Sequence, residues 1–469
     1  AITCENANTQ TFLPGLDNIV EGSDYKNVWL ETQPMGGAMW AVRNLTRALA
    51  NQLVFMRTQR ADGRLPGMVT TNMKSSPSTT SVASTASSAS SLTHTVDTSR
   101  PVSASEDHEV DGVGTADHKV VHGVETTNGW CANATNTSEP TLCAVYCTGT
   151  GSLLQGNYFS TTSVDVAWFL NVSDETTALE YTRELHGVLE RFDDWMWNNR
   201  RSKLTNNSDI LTCPSAADWG GDGYNGYRGY QAPFLSMDMM SYAHSNALAL
   251  VRTSRMLNNM TGISHWSAHA ATVAASLKRA LWLPHRRALY DVDDNTEVVD
   301  VLVHNNLRTM WHGAMSQAMA ETFVLTHLHN TSEFWTPFPL PSISAADPHF
   351  VPGLPRNTWS GPSEGLTYQR AIRALENYGF HTEITLLGEL LLQAIEVNVT
   401  FPQQWNPKQY QDVKPGAAGH GDCYGPALLS LVEYTTYANG IKPRVDDSML
   451  LWSSSLVHTR SPVSSIYNQ

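Results

Sequence analysis

Asp218 and Asp222 stand four residues apart in AADWGGDGYNGYRGY (216–230), among five glycines, three tyrosines and one tryptophan. Neither a core helix nor a core strand is written this way. The stretch reads as a loop whose glycines let the backbone approach a ligand closely. Two carboxyls on such a loop can divide the work of proton transfer: a nearby negative charge helps the other group keep its proton until it is needed. The competing reading is an Asx-turn loop with both acids in water.

Other segments share this texture. They are VWLETQPMGG (28–37), RADGRLPGM (60–68), LLQGNYF (153–159), VLVHNNLR (301–308) and FWTPFPLPSI (334–343). NTWSGPSEGLTYQR (357–370), FPQQWNP (401–407) and GHGDCYGPALLS (419–430) complete the set. Aromatic rings stack on the apolar face of a pyranose, and fixed amides and carboxylates satisfy its hydroxyls. A buried polar group left unpaired is costly, so such a pocket selects its ligand. The set points to a carbohydrate. The candidate contacts are Trp29, Glu31, Gln155, Asp218, Trp219, Tyr224, Trp359, Gln403 and Trp405, with Glu364 and Asp422 as further loop carboxyls.

The elements that must carry these loops are helical. In MGGAMWAVRNLTRALANQLVFMRTQR the apolar residues Met39, Val42, Leu45, Leu49, Leu53 and Met56 recur at three-to-four spacing. TALEYTRELHGVLERFDDWMWNNR, MMSYAHSNALALVRTSRMLNNM, HAATVAASLKRALW, MSQAMAETFVLTHLHN and LTYQRAIRALENYGFHTEITLLGELLLQAIEVN repeat the pattern. Few strands are evident. Helices alternating with aromatic loops predict an all-α toroid of helical hairpins whose loops meet at one end. A solenoid is the alternative, but no fixed sequence period supports it.

The 469 residues carry 41% hydrophobic and 16% charged residues, which suits a large core in a single domain spanning 1–469. A net charge of −14 offers no footprint for nucleic acid or anionic lipid, and no apolar run is long enough to predict membrane insertion. Residues 74–128 hold no aromatic side chain and almost no large aliphatic one except valine, so they read as a Ser/Thr-rich low-complexity insertion. Their His94, His108, His118 and His122 lack metal-ligand spacing. DVDDN (291–295) starts like a calcium loop, but Thr296 and Leu302 occupy the positions of the required Gly and Glu. No metal or cofactor is expected.

Six cysteines (Cys4, Cys131, Cys143, Cys147, Cys213 and Cys423) favour disulfides over a zinc site, because no His lies within the 131–147 cluster. Sequons begin at Asn44, Asn133, Asn136, Asn171, Asn206, Asn259, Asn330 and Asn398. Together these features predict a secreted or lumenal glycoprotein. Oligomeric state is left open.

In order and spacing, the motifs VWLETQPMGG, RADGRLPGM, ADWGGDGY, LWLPHRRALYDVD, TWSGPSEGLTYQRAIRALENYG and FPQQWNP…GDCYGPALLSLVEY resemble one family. It is the (α/α)6-barrel glycoside hydrolases that include trehalases, processing α-glucosidase I and mannosylglycerate hydrolase, and within it a trehalase-like branch. The resemblance covers most of the chain outside 74–150. It implies the (α/α)6 fold and hydrolysis, with inversion, of a small α-linked glycoside or oligosaccharide.

It also implies roles. GGDGY matches the loop whose aspartate is the general acid, which carries that role onto Asp222; Asp218 then supports it or touches a substrate hydroxyl. Inverting enzymes hold a second carboxylate about 6.5–9.5 Å away to activate water. The resemblance places that base in a loop where this chain has QQWNP, and the matching Gln403 cannot take a proton. Asp422 is the first choice of substitute, and Glu364 and Glu31 are the others. Asp422 and Glu364 could instead cap helices, and Glu31 could bind a sugar hydroxyl. The alternative to an enzyme is a sugar-binding or structural protein that keeps the barrel without its base.

Overall fold

The computed structural model describes residues 9–13, 15–19, 28–69, 156–204, 207–213, 234–293, 295–352, 360–398, 400–409, 423–439, 441–444 and 449–452. Its helices, in chain order, are α1 (Gln33–Trp40), α2 (Leu45–Arg57), α3 (Phe159–Ser173), α4 (Glu175–Asn199), α5 (Met237–Met256) and α6 (Met260–Leu281). There follow α7 (Asn305–Trp311), α8 (Gln317–Phe323) running into a π turn (Val324–Leu328), α9 (Gly365–Glu376), α10 (His381–Asn398) and α11 (Gly425–Asn439). The starts of α2, α4, α5, α6 and α8 are set by side-chain caps: Asn44, Asp174, Ser236, Asn259 and Ser316 each accept from the backbone N–H three residues on. The all-α expectation holds.

Two long periodic runs are each broken in two. The run from 35 to 60 is interrupted by residues 41–44, where Asn44 stops being a mid-helix residue and becomes a cap. The run beginning at 366 ends at Glu376, and Gly379 turns the chain at a φ of 79° before α10 begins. The strands are short, in six sheets of at most three strands among the described residues. Two of these sheets flank the site: β1 (Val28–Trp29) pairs with β2 (Met68–Val69), and β3 (Ser363–Glu364) pairs antiparallel with β4 (Gln404–Trp405).

The odd-numbered helices form a closed inner ring, with α1 packed on α3, α3 on α5, α5 on α7, α7 on α9, α9 on α11, and α11 back on α1. Even-numbered helices lie outside: α2 against α1 and α3, α4 against α3 and α5, α6 against α5, and α10 against α9 and α11. This is the alternation of an (α/α)6 toroid. Its connections differ sharply at the two ends. Inner-to-outer connections at the rear are residues 41–44, 174, 257–259, 312–316 and 377–380. Outer-to-inner connections at the front are 58–158, 200–236, 282–304, 329–364 and 399–424. The aromatic loop motifs fall on these front connections or on the segment leading into α1. The low-complexity stretch 74–128 belongs to the first front connection and lies outside the described residues.

Candidate active site

Because every inner helix starts at the front, their first turns converge there, and the polar residues of those turns meet at the ring's centre. Glu31, just before α1, is buried, and its Oε1 lies 2.5 Å from Arg370 Nη2 of α9. Arg308 of α7 lies 3.9 Å from the same oxygen and 3.1 Å from Asp238 Oδ2 at the start of α5. Asn305 Nδ2 donates to that Asp238 oxygen at 3.0 Å. Two guanidiniums and two carboxylates are thus interleaved by four segments far apart in the chain. An isolated charge at this depth would be prohibitive, and the alternation of sign is what makes the burial possible.

Aromatic and imidazole rings close the floor. Tyr158 carries the Arg370 guanidinium 4.6 Å from its centroid, has His312 stacked at 5.0 Å and meets Trp311 edge-on at 4.7 Å. Burial pushes the Tyr158 and Tyr242 hydroxyls above their ordinary range, so both remain protonated donors. Burial, and then the cations Arg308 and Arg370, hold His304 well below its usual value and therefore neutral; its Nδ1 meets Thr367 Oγ1 at 3.0 Å. The Tyr158 and Tyr242 hydroxyls and Asn305 Oδ1 are buried without a hydrogen-bond partner. A Cβ on Gly156 would stand 3.0 Å from Tyr242 Oη and 3.5 Å from Glu31 Cγ, so a glycine is what lets the front loop pass between them.

Glu364 is 1% exposed and occupies the N-cap position of α9, yet its side chain makes no capping bond. The two-residue pairing with β4 sets it opposite Gln404 and sets Ser363 opposite Trp405. Gln403, also buried, accepts from the Gly365 N–H through its carbonyl at 2.9 Å. The structure therefore brings the Glu364 and Gln403 segments together. Trp405 is fully buried against Phe338 and Tyr368, with ring centroids 5.2 and 6.2 Å away. Trp29 is half-buried in β1, its backbone N–H donating to Gln33 Oε1.

The other expected contacts, Gln155, Asp218, Trp219, Asp222, Tyr224, Trp359 and Asp422, lie outside the described residues. So do Cys4, Cys131, Cys143, Cys147 and the sequon residues Asn133, Asn136 and Asn206. Cys213 departs from the pairing expectation: it is a buried thiol in the short strand Thr212–Cys213, where it behaves as a small core residue. Asn171 and Asn259 are exposed. Among the described residues no cluster of three or more His, Cys, Asp or Glu could hold a metal ion, and no helix is long and apolar enough to cross a membrane. Within 291–295, Val292–Asp293 form a short strand, and Asp293 Oδ1 accepts from the backbone N–H groups of Asn295 and Glu297.

Arg308, Arg370, Asp238, Tyr158 and Tyr242 were not among the residues singled out from sequence. The available signal was an arginine on the apolar face of a helix, as in LTYQRAIRAL, a position that only a buried partner makes tolerable.

The family model of the mannosylglycerate hydrolase MGH1-like glycoside hydrolase domain matches residues 34–424. Among solved structures, the chain resembles the GH63 mannosylglycerate hydrolase from Thermus thermophilus in complex with glucose. The TM-score is 0.62 at 14% identity, over 93% of this chain and 98% of that one. It also resembles neutral trehalase Nth1 from Saccharomyces cerevisiae, with a TM-score of 0.60 at 10% identity, over 94% of this chain and 80% of that one. At these identities the likeness speaks for the fold. Comparison with curated protein sequences finds no match.

Proposed function

The chain belongs to the mannosylglycerate hydrolase MGH1-like glycoside hydrolase family, and from that premise we propose that it hydrolyses a small, neutral, α-linked glycoside with inversion at the anomeric carbon. Carbohydrate as substrate follows from the family. The finer reading rests on one observation: the buried polar centre at the front of the ring, where both arginines are already matched by Glu31 and Asp238. A site arranged in this way favours uncharged hydroxyls over a charged aglycone. The Tyr158 and Tyr242 hydroxyls and Asn305 Oδ1, which have no protein partner, are suited to hydrogen-bond such a ligand.

In this mechanism Asp222 protonates the leaving oxygen as the glycosidic bond breaks. A second carboxylate removes a proton from the water that attacks from the opposite face. Gln403 cannot do this. Glu364 is our choice over Asp422, since it is buried at the start of an inner helix, makes no capping bond there, and sits where the helix dipole favours negative charge. Gln403, on the adjoining segment, would orient the water. Secretion, N-glycosylation at sites such as Asn171 and Asn259, and disulfides among the remaining cysteines belong to the same proposal. Incubating purified protein with a panel of α-linked disaccharides, and following the anomer released by NMR, tests it. Release of the β-anomer supports inversion; release of the α-anomer overturns it, and no release from any sugar favours the sugar-binding alternative.

A further inference from the structure

Three sequon asparagines, Asn44, Asn171 and Asn259, fall at the rear of the ring, at or beside the turns that close the first three hairpins. Asn44 and Asn259 are the N-caps of α2 and α6, where each Oδ1 accepts from the backbone N–H three residues on, at 3.1 and 2.9 Å. This commits the oxygen to the helix and leaves Nδ2, the atom that takes a glycan, without a hydrogen bond. Asn171, in the last turn of α3, is exposed. The sequon hydroxyl residues Thr46, Ser173 and Thr261 are exposed as well.

Capping alone accounts for the asparagines at 44 and 259. It does not account for their neighbours. Val42, Val172 and Met260, each within two residues of one of these asparagines, are 61%, 70% and 73% exposed. A fourth exposed side chain, Val397, precedes the sequon asparagine Asn398. The two rear turns without a sequon, 312–316 and 377–380, expose no large apolar side chain. Single exposed apolar residues are ordinary on a protein surface, but at these turns they occur only where a glycan could cover them.

We propose, resting on the secretory reading above, that Asn44, Asn171 and Asn259 carry N-linked glycans whose first sugars lie over Val42, Val172 and Met260. Transfer from an oligosaccharide held on a polyprenyl pyrophosphate joins sugar C1 to Nδ2, breaks the bond from C1 to the pyrophosphate oxygen and releases one amide proton. The apolar faces of the pyranose rings then cover the apolar side chains, and their hydroxyls face water. Carbohydrate shields the rear on the side of the first three hairpins, at the opposite end from the front pocket.

For the test, a cleavable leader directs the full chain into the secretory pathway of a glycosylating eukaryotic host, so that occupancy is read independently of where the protein resides in its own cell. A peptide N-glycosidase in heavy-oxygen water converts each occupied asparagine to a labelled aspartate, which keeps both caps and is located by peptide mass spectrometry. Label is expected at positions 44, 171 and 259. Stripping the glycans should raise the fluorescence of the hydrophobic dye ANS in the wild type and leave it unchanged in Val42→Ser/Val172→Ser/Met260→Ser. Label missing from any of the three positions, dye binding unchanged on stripping the wild type, or an equal rise in the triple variant overturns the proposal. Protein from its own cell that lacks glycans at positions this host modifies would overturn the secretory reading, and the glycans with it.

Discussion

Arg370 donates to Glu31 at 2.5 Å across 339 residues of chain, and both side chains are buried. The contact ties the segment entering the first inner helix to the middle of the fifth, at the centre of the ring. Removing one partner strands the other's charge away from water. Glu31→Gln should therefore cost roughly 3–5 kcal/mol of unfolding free energy, read by urea denaturation. The double variant Glu31→Gln/Arg370→Met should lose less than the sum of its singles; strict additivity would show that the pair is not a unit.

Glu364→Gln should lower kcat by about 10²–10⁴ with an unchanged denaturation midpoint, if this carboxylate removes the proton from water. Asp422→Asn is the comparison. Should the Asp422 change prove the more damaging in a rate assay, the base lies on the loop before α11 and Glu364 has a packing role.

Asp222→Asn removes the proposed proton donor at nearly constant volume. Turnover of glycosides with poor leaving groups should fall by about 10²–10⁴, while activated aryl glycosides, whose leaving groups need little protonation, should be spared much of that loss. A larger loss from Asp218→Asn would shift the acid by one turn of the loop.

Acid should destabilise the fold before it reaches the range of ordinary carboxylates. Burial lowers the titration of His244, His304 and His312, so the unfolded chain binds protons that the folded one refuses. Their contribution is complete above the unfolded histidine value of about 6.5 and shrinks as pH falls below it, by about 1.4 kcal/mol per pH unit for each group. Thermal unfolding at pH 7.5, 6.5 and 5.5 checks this. His304→Gln should flatten the slope, and a Tm that is level across that interval would contradict the neutral assignment.

Helical periodicity and the texture of the loops make the ring legible in the amino-acid sequence, because both are local properties of the chain. What periodicity could not place were the breaks. Asn44 and Gly379 sit inside unbroken apolar patterns, and only the packing of neighbouring helices decides that the chain turns there. Helix α3 escapes notice for a related reason: FSTTSVDVAWFLNVS is rich in Ser, Thr and Val, residues of modest helix propensity, and it is helical because its neighbours bury it. At the site, the carboxylates were visible as loop residues. Their partners Arg308 and Arg370 were not, since pairing across the ring leaves no mark in spacing.

The ring has one seam. Neighbouring helices elsewhere follow one another along the chain, whereas α1 meets α11 only through closure, with Arg43 Nη2 reaching Thr436 Oγ1 at 3.1 Å across 393 residues. Gly36 marks how tight the join is, as a Cβ there would stand 2.9 Å from Leu429 Cδ1. Hairpins such as α5–α6 can assemble from local contacts, but the seam must await nearly the whole chain. Closure is therefore the slow, non-local step of folding, and the seam is where the circle can part while every hairpin stays intact. A bulkier residue at position 36 would leave each hairpin able to form and would act on the rate at which the ring shuts.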